Sequence, residues 1–262
     1  MAEHSKRNRA VTRHVHRDAK FEEVSMRIGA GLVAAALPAV PASAQEKDSP
    51  AKVSYTYPAQ ARATPALRRW FDKEGAAFRA TTMDEAAQAR REAANDGFPF
   101  RPYVSDRDWK VVADTPRFLS LSVEGWDYSG GAHGMTMYAT FVWDRTSGVR
   151  RAPLSFFTSP KALGTAIRSE FCRELDAQRQ NKRGGNPPAD IPEFSKCIDP
   201  LAQTLILGSR KRDRFDRIGI LIPPYDAGPY VEGTYEVTLP VTRAVMAAVR
   251  PEWRRYFEPG TP

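Results

Sequence analysis

Residues 118–143 read FLSLSVEGWDYSGGAHGMTMYATFVW, and apolar side chains alternate with more polar ones in both ends of this stretch. Alternation of this kind is typical of a β-strand that buries one face, which holds Leu119, Leu121 and Val123 in the first run. Glycine-rich residues 128–134 separate the two runs and predict a turn between them. We therefore expect two neighbouring strands of an antiparallel meander.

The sequence before the meander predicts two helices. Thr64 followed by Pro65 is typical of a helix N-terminus, in which proline takes the first helical position. Residues 82–85 fit a capping box, so a second helix is expected to start there and to continue to about Asn95.

The sequence after the meander predicts further helices and strands. Residues 161–179 place apolar side chains on one stripe at i, i+4 spacing, which predicts a helix. Asp199 and Pro200 are typical of a helix start and predict another helix to about Leu207. The remaining predicted elements are short strands at residues 53–57, 109–113, 149–153, 218–222 and 234–239 and a last helix at residues 242–249.

These elements together indicate a fold class. Strands and helices occur in groups rather than in strict alternation, which indicates the α+β class. We expect an antiparallel β-meander sheet packed against helices, in two intimately associated subdomains.

The first 44 residues are expected to lie outside the fold. Arg27 precedes an uncharged and mostly apolar run, and the small-x-small residues 42–44 follow it. These are the parts of a secretory signal peptide over Met26–Ala44, cut between Ala44 and Gln45. The apolar run is shorter than the about 20 residues that span a bilayer. We therefore expect a periplasmic or secreted protein with no stable membrane anchor after cleavage, and an N-terminal extension ahead of Met26.

Composition and charge narrow the class of partner. The chain is 42% hydrophobic and 27% charged, as in ordinary globular proteins. Its net charge is +8, and residues 1–44 carry seven basic and four acidic side chains, so their removal leaves +5. This mildly basic balance favours an anionic cell wall or membrane surface. Export argues against nucleic acid, and we expect no such partner.

The two cysteines, Cys172 and Cys197, are expected to form a disulfide. Two thiols 25 residues apart in an oxidising compartment are most simply one structural bridge. A catalytic or redox thiol is the alternative, but the spacing is not Cys-x-x-Cys and neither cysteine has a histidine close in sequence.

Few side chains suited to catalysis remain after residue 44. His133 is the single histidine there, so a zinc site would lack ligands and a Ser-His-Asp set would have to use His133 as its base. The chain has no Gly-x-Ser-x-Gly, no phosphate-binding loop and no Gly-x-Gly-x-x-Gly. We expect no metal and no cofactor; the residues favour a non-enzymatic protein and leave enzymatic activity open.

Two loops carry a family resemblance. Residues 129–134 read SGGAHG and residues 225–233 read YDAGPYVEG. Together with the strand before the first loop, they resemble the RsiV-like extracytoplasmic domain family. This family includes the ectodomain of a lysozyme-binding anti-sigma factor and the N-terminal module of PdaC-type peptidoglycan deacetylases. The resemblance implies a small α+β subdomain at residues 51–115 and a larger α+β domain at residues 116–257. We expect neither anti-sigma nor deacetylase activity, because the chain holds neither a sigma-binding nor a deacetylase domain.

The same loops contain the candidate site residues. One interpretation is architectural: the glycines serve tight turns, and the aromatic side chains pack on the sheet. The other is that both loops form one face, with aromatic contact area and carboxylate anchors suited to a protein partner or a glycan ring. The residues of this face would be Tyr128, His133, Tyr225, Asp226, Tyr230 and Glu232.

Three hypotheses of function follow. The first is a non-enzymatic envelope module that binds cell-wall glycan or a wall-active protein such as lysozyme. The second is a peptidoglycan hydrolase that uses His133 with Asp226 or Glu232. A glycosidase that used Asp226 and Glu232 as its acid–base pair would require carboxyl groups roughly 5 to 9.5 Å apart in a cleft. The third is a structural factor of the envelope without a small ligand. Mutual proximity of the two loops would favour a shared face.

Overall fold

The computed structural model describes residues 49–185 and 191–260. The predicted signal peptide and its cleavage site lie outside the described residues. No helix in the described part of the chain is long and apolar enough to cross a membrane.

A five-stranded sheet forms the first half of the fold. Its strands occur in the spatial order β1-β2-β3-β4-β5, with β1 parallel to β2 and the other pairs antiparallel. The predicted meander is therefore confirmed, with longer strands than the alternation alone indicated. The strands are β1 Ala51–Thr56, β2 Tyr103–Asp114, β3 Phe118–Tyr128, β4 Met135–Asp144 and β5 Val149–Arg151.

One long helix packs on this sheet. After the short α1 (Ala59–Arg62), α2 runs without interruption over Pro65–Asn95. Leu67 and Phe71 of α2 are fully buried against the apolar face of β3, which includes Leu121. Trp109 and Phe141 belong to the same cluster and make edge-on ring contacts with Trp70 of α2, as is typical of aromatic cores.

The predicted break in this helix at residue 82 is wrong. Thr82 is buried inside α2, and its hydroxyl donates to the carbonyl of Phe78 at 2.9 Å, one turn earlier. A threonine can bond the preceding turn in this way within a helix, so the capping-box pattern did not mark an N-terminus here.

A second sheet and a second long helix form the other half of the fold. Strands β6 (Thr204–Gly208), β7 (Arg217–Ile222) and β8 (Tyr235–Pro240) pair in sequence order as an antiparallel sheet. Helix α3 (Pro160–Lys182) is capped at its N-terminus by Ser159, whose hydroxyl accepts from the backbone N–H of Ala162. The predicted stripe of α3 is buried in the core of this half, together with the last helix, α4 (Arg243–Ala248). The buried stripe consists of Leu163, Ile167, Phe171 and Leu175.

The predicted helix from Asp199 to about Leu207 is wrong. Asp199 does cap a turn, because its carboxylate accepts from the N–H of Leu201, but the turn ends at Ala202. Residues 204–208 instead pair with β7, and Leu205 and Leu207 enter the core. Pairing with a partner strand that is distant in sequence outweighs the local start signal.

The predicted disulfide between Cys172 and Cys197 is confirmed. It joins α3 to the segment that leads into β6, across 25 residues of sequence. The α+β class is likewise confirmed, whereas the boundary between residues 115 and 116 stays a prediction. Strand β3 serves both halves, since Phe118 belongs to one core cluster and Leu119 to the other.

Substitution of both cysteines by serine is expected to lower the free energy of unfolding by roughly 3 to 4 kcal/mol. A bridge that closes a loop of this length restricts the unfolded chain by about that amount. Urea unfolding of the double variant and of the wild-type protein measures the difference. An added reductant should destabilise the wild-type protein similarly and leave the variant unaffected. Equal midpoints for all samples would contradict a structural role.

Candidate functional site

The first candidate loop connects β3 to β4 and includes His133. Gly130 adopts a positive φ of 86°, as a turn interpretation expects, whereas Gly131 has open space around it. At Gly134 a Cβ atom would collide with the indole ring of Trp126, so only glycine allows this close approach. The loop thus passes over Trp126 and holds the exposed His133 immediately before β4.

The second candidate loop connects β7 to β8 and includes Tyr225 and Tyr230. Tyr225 has a positive φ of 75°, which is uncommon for a non-glycine residue, and its N–H donates to the carbonyl of Gly228 at 3.1 Å. Residues Tyr230–Glu232 form a single 3₁₀ turn before the chain enters β8. Strained backbone conformations of this kind occur most often at functional sites. The strained residue here carries a ring that is 46% exposed.

The two loops meet in a cluster of three rings, which we call the aromatic triad: His133, Tyr225 and Tyr230. The imidazole of His133 stacks on Tyr230 with ring centroids 3.8 Å apart and 22° between the planes. The rings of Tyr225 and Tyr230 are 5.7 Å apart. Residues almost a hundred positions apart in sequence therefore form one continuous surface.

Hydrogen bonds determine how His133 is held. Its Nδ1 lies 3.0 Å from the carbonyl oxygen of Gly134, and its Nε2 lies 3.1 Å from the hydroxyl of Tyr225. A carbonyl only accepts, so Nδ1 carries the proton in the neutral ring, and Nε2 accepts from the Tyr225 hydroxyl. Both imidazole nitrogens are thus engaged, and one face of the ring is covered by Tyr230, which leaves the opposite face for contact with a ligand.

The loop of Tyr225 and Tyr230 is tied down by the C-terminal turn of α3. The Arg179 Nε donates to the carbonyl of Ala227 at 2.9 Å, and Lys182 Nζ donates to the carbonyl of Glu232 at 2.7 Å. Arg183 forms a two-pronged ion pair with the Glu232 carboxylate, with distances of 2.8 and 3.1 Å. These cations also suit a helix C-terminus electrostatically.

Glu232 is a structural anchor in this arrangement. Its side chain and that of Arg183 are each 10% exposed, and the Tyr235 hydroxyl donates to the same carboxylate. Burial alone would raise the pKa of Glu232, but the bonds from Arg183 and Tyr235 outweigh burial and hold this pKa below its ordinary value. Burial and the adjacent carboxylate raise the pKa of the Tyr235 phenol, so it remains a donor.

Glu232→Gln is expected to lower the free energy of unfolding by about 1.5–3 kcal/mol at pH 7, as for loss of a charged hydrogen-bond partner. The folded-state pKa of Glu232 is lowered, so its stabilisation is complete above the ordinary value of 4.5 and is lost as the pH falls through the lowered one. The difference between wild type and variant in urea unfolding should therefore shrink in acid. Glu170→Gln, which removes an exposed pair with Arg173, is the control with little effect. A difference independent of pH would contradict the anchoring role.

Among the described residues, the other candidates take no part in the ring contacts that define the triad. Tyr128 stacks on Trp126 at 6.1 Å and lines a groove of about 340 Å³ beside α2, with Phe78 and Arg107. Asp226 is exposed. Within the described residues neither Asp226 nor Glu232 hydrogen-bonds to His133, whose partners are Gly134 and Tyr225.

Sequence reasoning missed the residues that support the site. Arg183 lies just beyond the helix predicted at residues 161–179, and nothing local in the sequence pairs it with Glu232. Trp126 was likewise not selected, although a large ring two residues before a glycine-rich turn is a useful signal. Lys182 was missed because the carbonyl groups that it bonds, those of Glu232 and Thr234, lie about 50 residues later in the sequence. Tyr235 was not selected, although its partner Glu232 is only three residues earlier.

Comparison with known proteins supports the family resemblance over part of the chain. Residues 44–136 match the family model described as deacetylase PdaC. The predicted resemblance to a PdaC-like module is confirmed by this match, which includes the loop of His133. The loop of Tyr225 and Tyr230 lies beyond the matched residues. None of the curated proteins compared with the chain matches it.

Two solved structures resemble the fold. One is a member of the DUF3298 family from Bacteroides fragilis, with 16% identity and a TM-score of 0.43 over 71% of this chain and 67% of that one. The other is a DUF3298 family protein from Pseudomonas aeruginosa, with 16% identity and a TM-score of 0.41 over 67% of this chain and 72% of that one.

Proposed function

We propose that this protein is an exported, non-enzymatic envelope module that binds cell-wall glycan through the aromatic triad. The observation that carries the proposal is the convergence of two distant loops on one cluster of rings, in which His133 and Tyr225 are exposed and Tyr230 is partly buried. His133 stacks on Tyr230, and the hydroxyl of Tyr225 holds the imidazole in place. A wall-active protein such as lysozyme is the alternative partner, and the experiment below distinguishes the two.

The triad has the properties of a recognition surface that is assembled before binding. Tyrosine offers a large amphipathic face with few rotatable bonds, so little conformational entropy is lost when a ligand packs on it. The anchors from α3 hold the backbone around Tyr225 and Tyr230, which further reduces the cost of ordering. Val231, next to Tyr230, is 90% exposed and extends the apolar area.

Charge favours glycan over a basic protein. After loss of residues 1–44 the chain carries a net charge of +5, and this sign attracts a polymer rich in carboxylates. Lysozymes are generally basic, so long-range electrostatics would oppose their approach. The proposal therefore takes peptidoglycan as the partner and a lysozyme as the competing outcome.

The chemistry of the carboxylates argues against hydrolysis. A glycosidase needs one carboxyl group that is protonated as the acid and a second as base or nucleophile. The pKa of Glu232 is held below its ordinary value, so this group stays ionised and is unsuited to donate a proton. Its oxygens already accept from Arg183 and Tyr235.

Calorimetric titration with soluble peptidoglycan fragments tests the proposal, with mass spectrometry of the glycan afterwards. Saturable binding that leaves the glycan unchanged is expected. A parallel titration with a lysozyme forms the second arm, and binding there alone would replace glycan by protein as the partner. Cleaved or deacetylated glycan would contradict a non-enzymatic module, and absence of binding in both arms would contradict recognition by this surface.

A further inference from the structure

A second concave surface lies on the face of the three-stranded sheet that points away from α3. Leu205, Leu207, Ile218 and Ile220 fill the core side, so the intervening residues of β6, β7 and β8 face the other way. They form the floor of a groove of about 290 Å³. Its lining residues are Val112, Ile206, Gly208, Ser209, Arg210, Arg217, Gly219, Glu236 and Thr238.

Two local features create this groove. The pairing of β2 with β3 shifts register between Val111 and Ala113, so β2 carries an irregular extra residue, Val112, at the groove wall. On the floor, a Cβ at Gly219 would lie 2.5 Å from Ile206 Cγ1, so this central position has no room for a side chain. At this position the floor therefore consists of the Ile206 side chain packed over the bare backbone of Gly219.

One end of the groove contains buried donors without acceptors. The Arg217 Nε and the Ser209 Oγ are both buried, and neither has a hydrogen-bond partner within the described residues. A buried N–H of a guanidinium group that lacks an acceptor is costly, and such a donor is usually satisfied by an ion, a ligand or water. Both atoms line the same end, where Gly208 pairs with Arg217.

The hairpin at this end is basic and firmly positioned. Residues 209–214 read SRKRDR and contain four cationic side chains against one carboxylate. The buried carboxylate of Asp216 accepts from the N–H of Arg210 at 3.1 Å, which ties the hairpin to the start of β7. The hairpin therefore provides positive potential at a defined place, which attracts anions.

The opposite end of the groove carries hydrogen-bond acceptors. Glu236 and Thr238 lie on β8, and Glu236 pairs with Leu221, four residues along β7 from Arg217. That separation corresponds to roughly 13 Å along a strand. A carboxylate and a hydroxyl are acceptors for hydroxyl groups of a ligand, whereas Arg217 and Ser209 are donors suited to an oxyanion.

We propose that this groove binds a phosphate group carried on a hydroxyl-bearing body. Arg217 and Ser209 donate to the phosphate oxygens, and Glu236 with Thr238 contacts the hydroxyl groups at the other end. Soluble glycerol phosphate units and the headgroup of a glycerol phospholipid share this chemistry. The site is separate from the aromatic triad, and the proposal does not depend on glycan binding.

Titration of the full protein with glycerol 3-phosphate tests the proposal, with inorganic phosphate as a second probe. Saturable binding is expected, weaker for inorganic phosphate because it lacks the hydroxyl contacts. Arg217→Gln should weaken the binding of glycerol 3-phosphate at least about tenfold, since it removes a charge-assisted donor. Arg173→Gln, an exposed arginine on α3, is the matched control and should change nothing.

Further measurements keep the proposal testable and distinguish the source of the phosphate. The NMR resonance of the Arg217 Nε–H should shift on addition of glycerol 3-phosphate, which needs no variant to fold, and Ser209→Ala should weaken binding by a smaller factor. Pelleting with phosphatidylglycerol vesicles, compared with phosphatidylcholine vesicles, shows whether a lipid headgroup is bound. Binding of neither glycerol 3-phosphate nor phosphatidylglycerol would overturn the proposal, as would equal affinity of the wild-type protein and Arg217→Gln.

Discussion

Replacement of both Tyr225 and Tyr230 by alanine is expected to weaken the binding of peptidoglycan fragments about 1000-fold. The two tyrosines are two of the three rings of the triad, and His133 stacks on Tyr230. Truncation of an aromatic side chain at the centre of an interface typically costs about 2 kcal/mol or more. Two such losses amount to about 4 kcal/mol, which corresponds to this factor.

Matched variants separate the loss of contact from loss of structure. Phe98→Ala removes an aromatic ring that is 71% exposed and lies outside both loops, so it should bind like the wild-type protein. Tyr225→Phe removes only the hydroxyl that bonds His133, and a smaller loss, about tenfold, is expected. Calorimetry gives the affinities, and circular dichroism verifies the fold. Wild-type affinity in the double variant would remove the triad from the recognition surface.

Asp144→Ala is expected to lower the free energy of unfolding by about 3–5 kcal/mol, the cost typical of breaking a buried ion pair. The Asp144 side chain is 0% exposed at the end of β4. It accepts from Arg117 at 3.1 and 3.2 Å, from Arg151 at 3.2 Å and from the backbone N–H of Thr146. Removal of the carboxylate leaves two guanidinium groups without their shared partner.

The contribution of the Asp144 carboxylate to the free energy of unfolding depends on pH. Burial raises the pKa of Asp144, but bonds from Arg117, Ser147 and Thr146 outweigh burial and lower it from 3.8 to about 2. The stabilisation is complete above the unfolded value and is lost as the pH falls through the folded one, by about 2 kcal/mol in total.

Urea unfolding of wild type, Asp144→Ala and Asp144→Asn at pH 7 and at pH 3 measures both effects. Both variants should lack the part of the acid destabilisation that Asp144 contributes. Asp114→Ala is the control, because its pair with Arg145 is about one third exposed on both sides and should be worth less than about 1 kcal/mol. Equal costs for the two alanine variants would contradict the buried network.

Local patterns predicted the class of the fold and most of its elements. Alternation in β3 and β4 and the i, i+4 stripe of α3 depend on burial of one face, which a short window of sequence reveals. The capping signals at Thr82 and Asp199 led to wrong helix starts. The side chain of a threonine or an aspartate can bond the backbone of a neighbouring turn without starting a long helix. Strand β6 depends on its pairing with β7, which no short window contains.

The candidate site, like the fold, was predictable from the sequence only in part. The unusual composition of both loops was visible in the sequence, and so were the three rings that meet. The ion pair of Arg183 with Glu232 joins a helix end to a loop 49 residues later, and such pairings have no local signature. The register shift at Val112 and the buried donors of Arg217 and Ser209 follow from tertiary packing, so the groove was not predictable either.

Amide hydrogen exchange of the full protein, with and without saturating peptidoglycan fragments, tests the central claim most directly. The account predicts that bound glycan slows exchange in the two loops of the triad, residues 128–135 and 225–233. Exchange in the basic hairpin at residues 209–214 should stay unchanged. Protection that leaves both loops unaffected while the glycan is bound would contradict recognition by the aromatic triad.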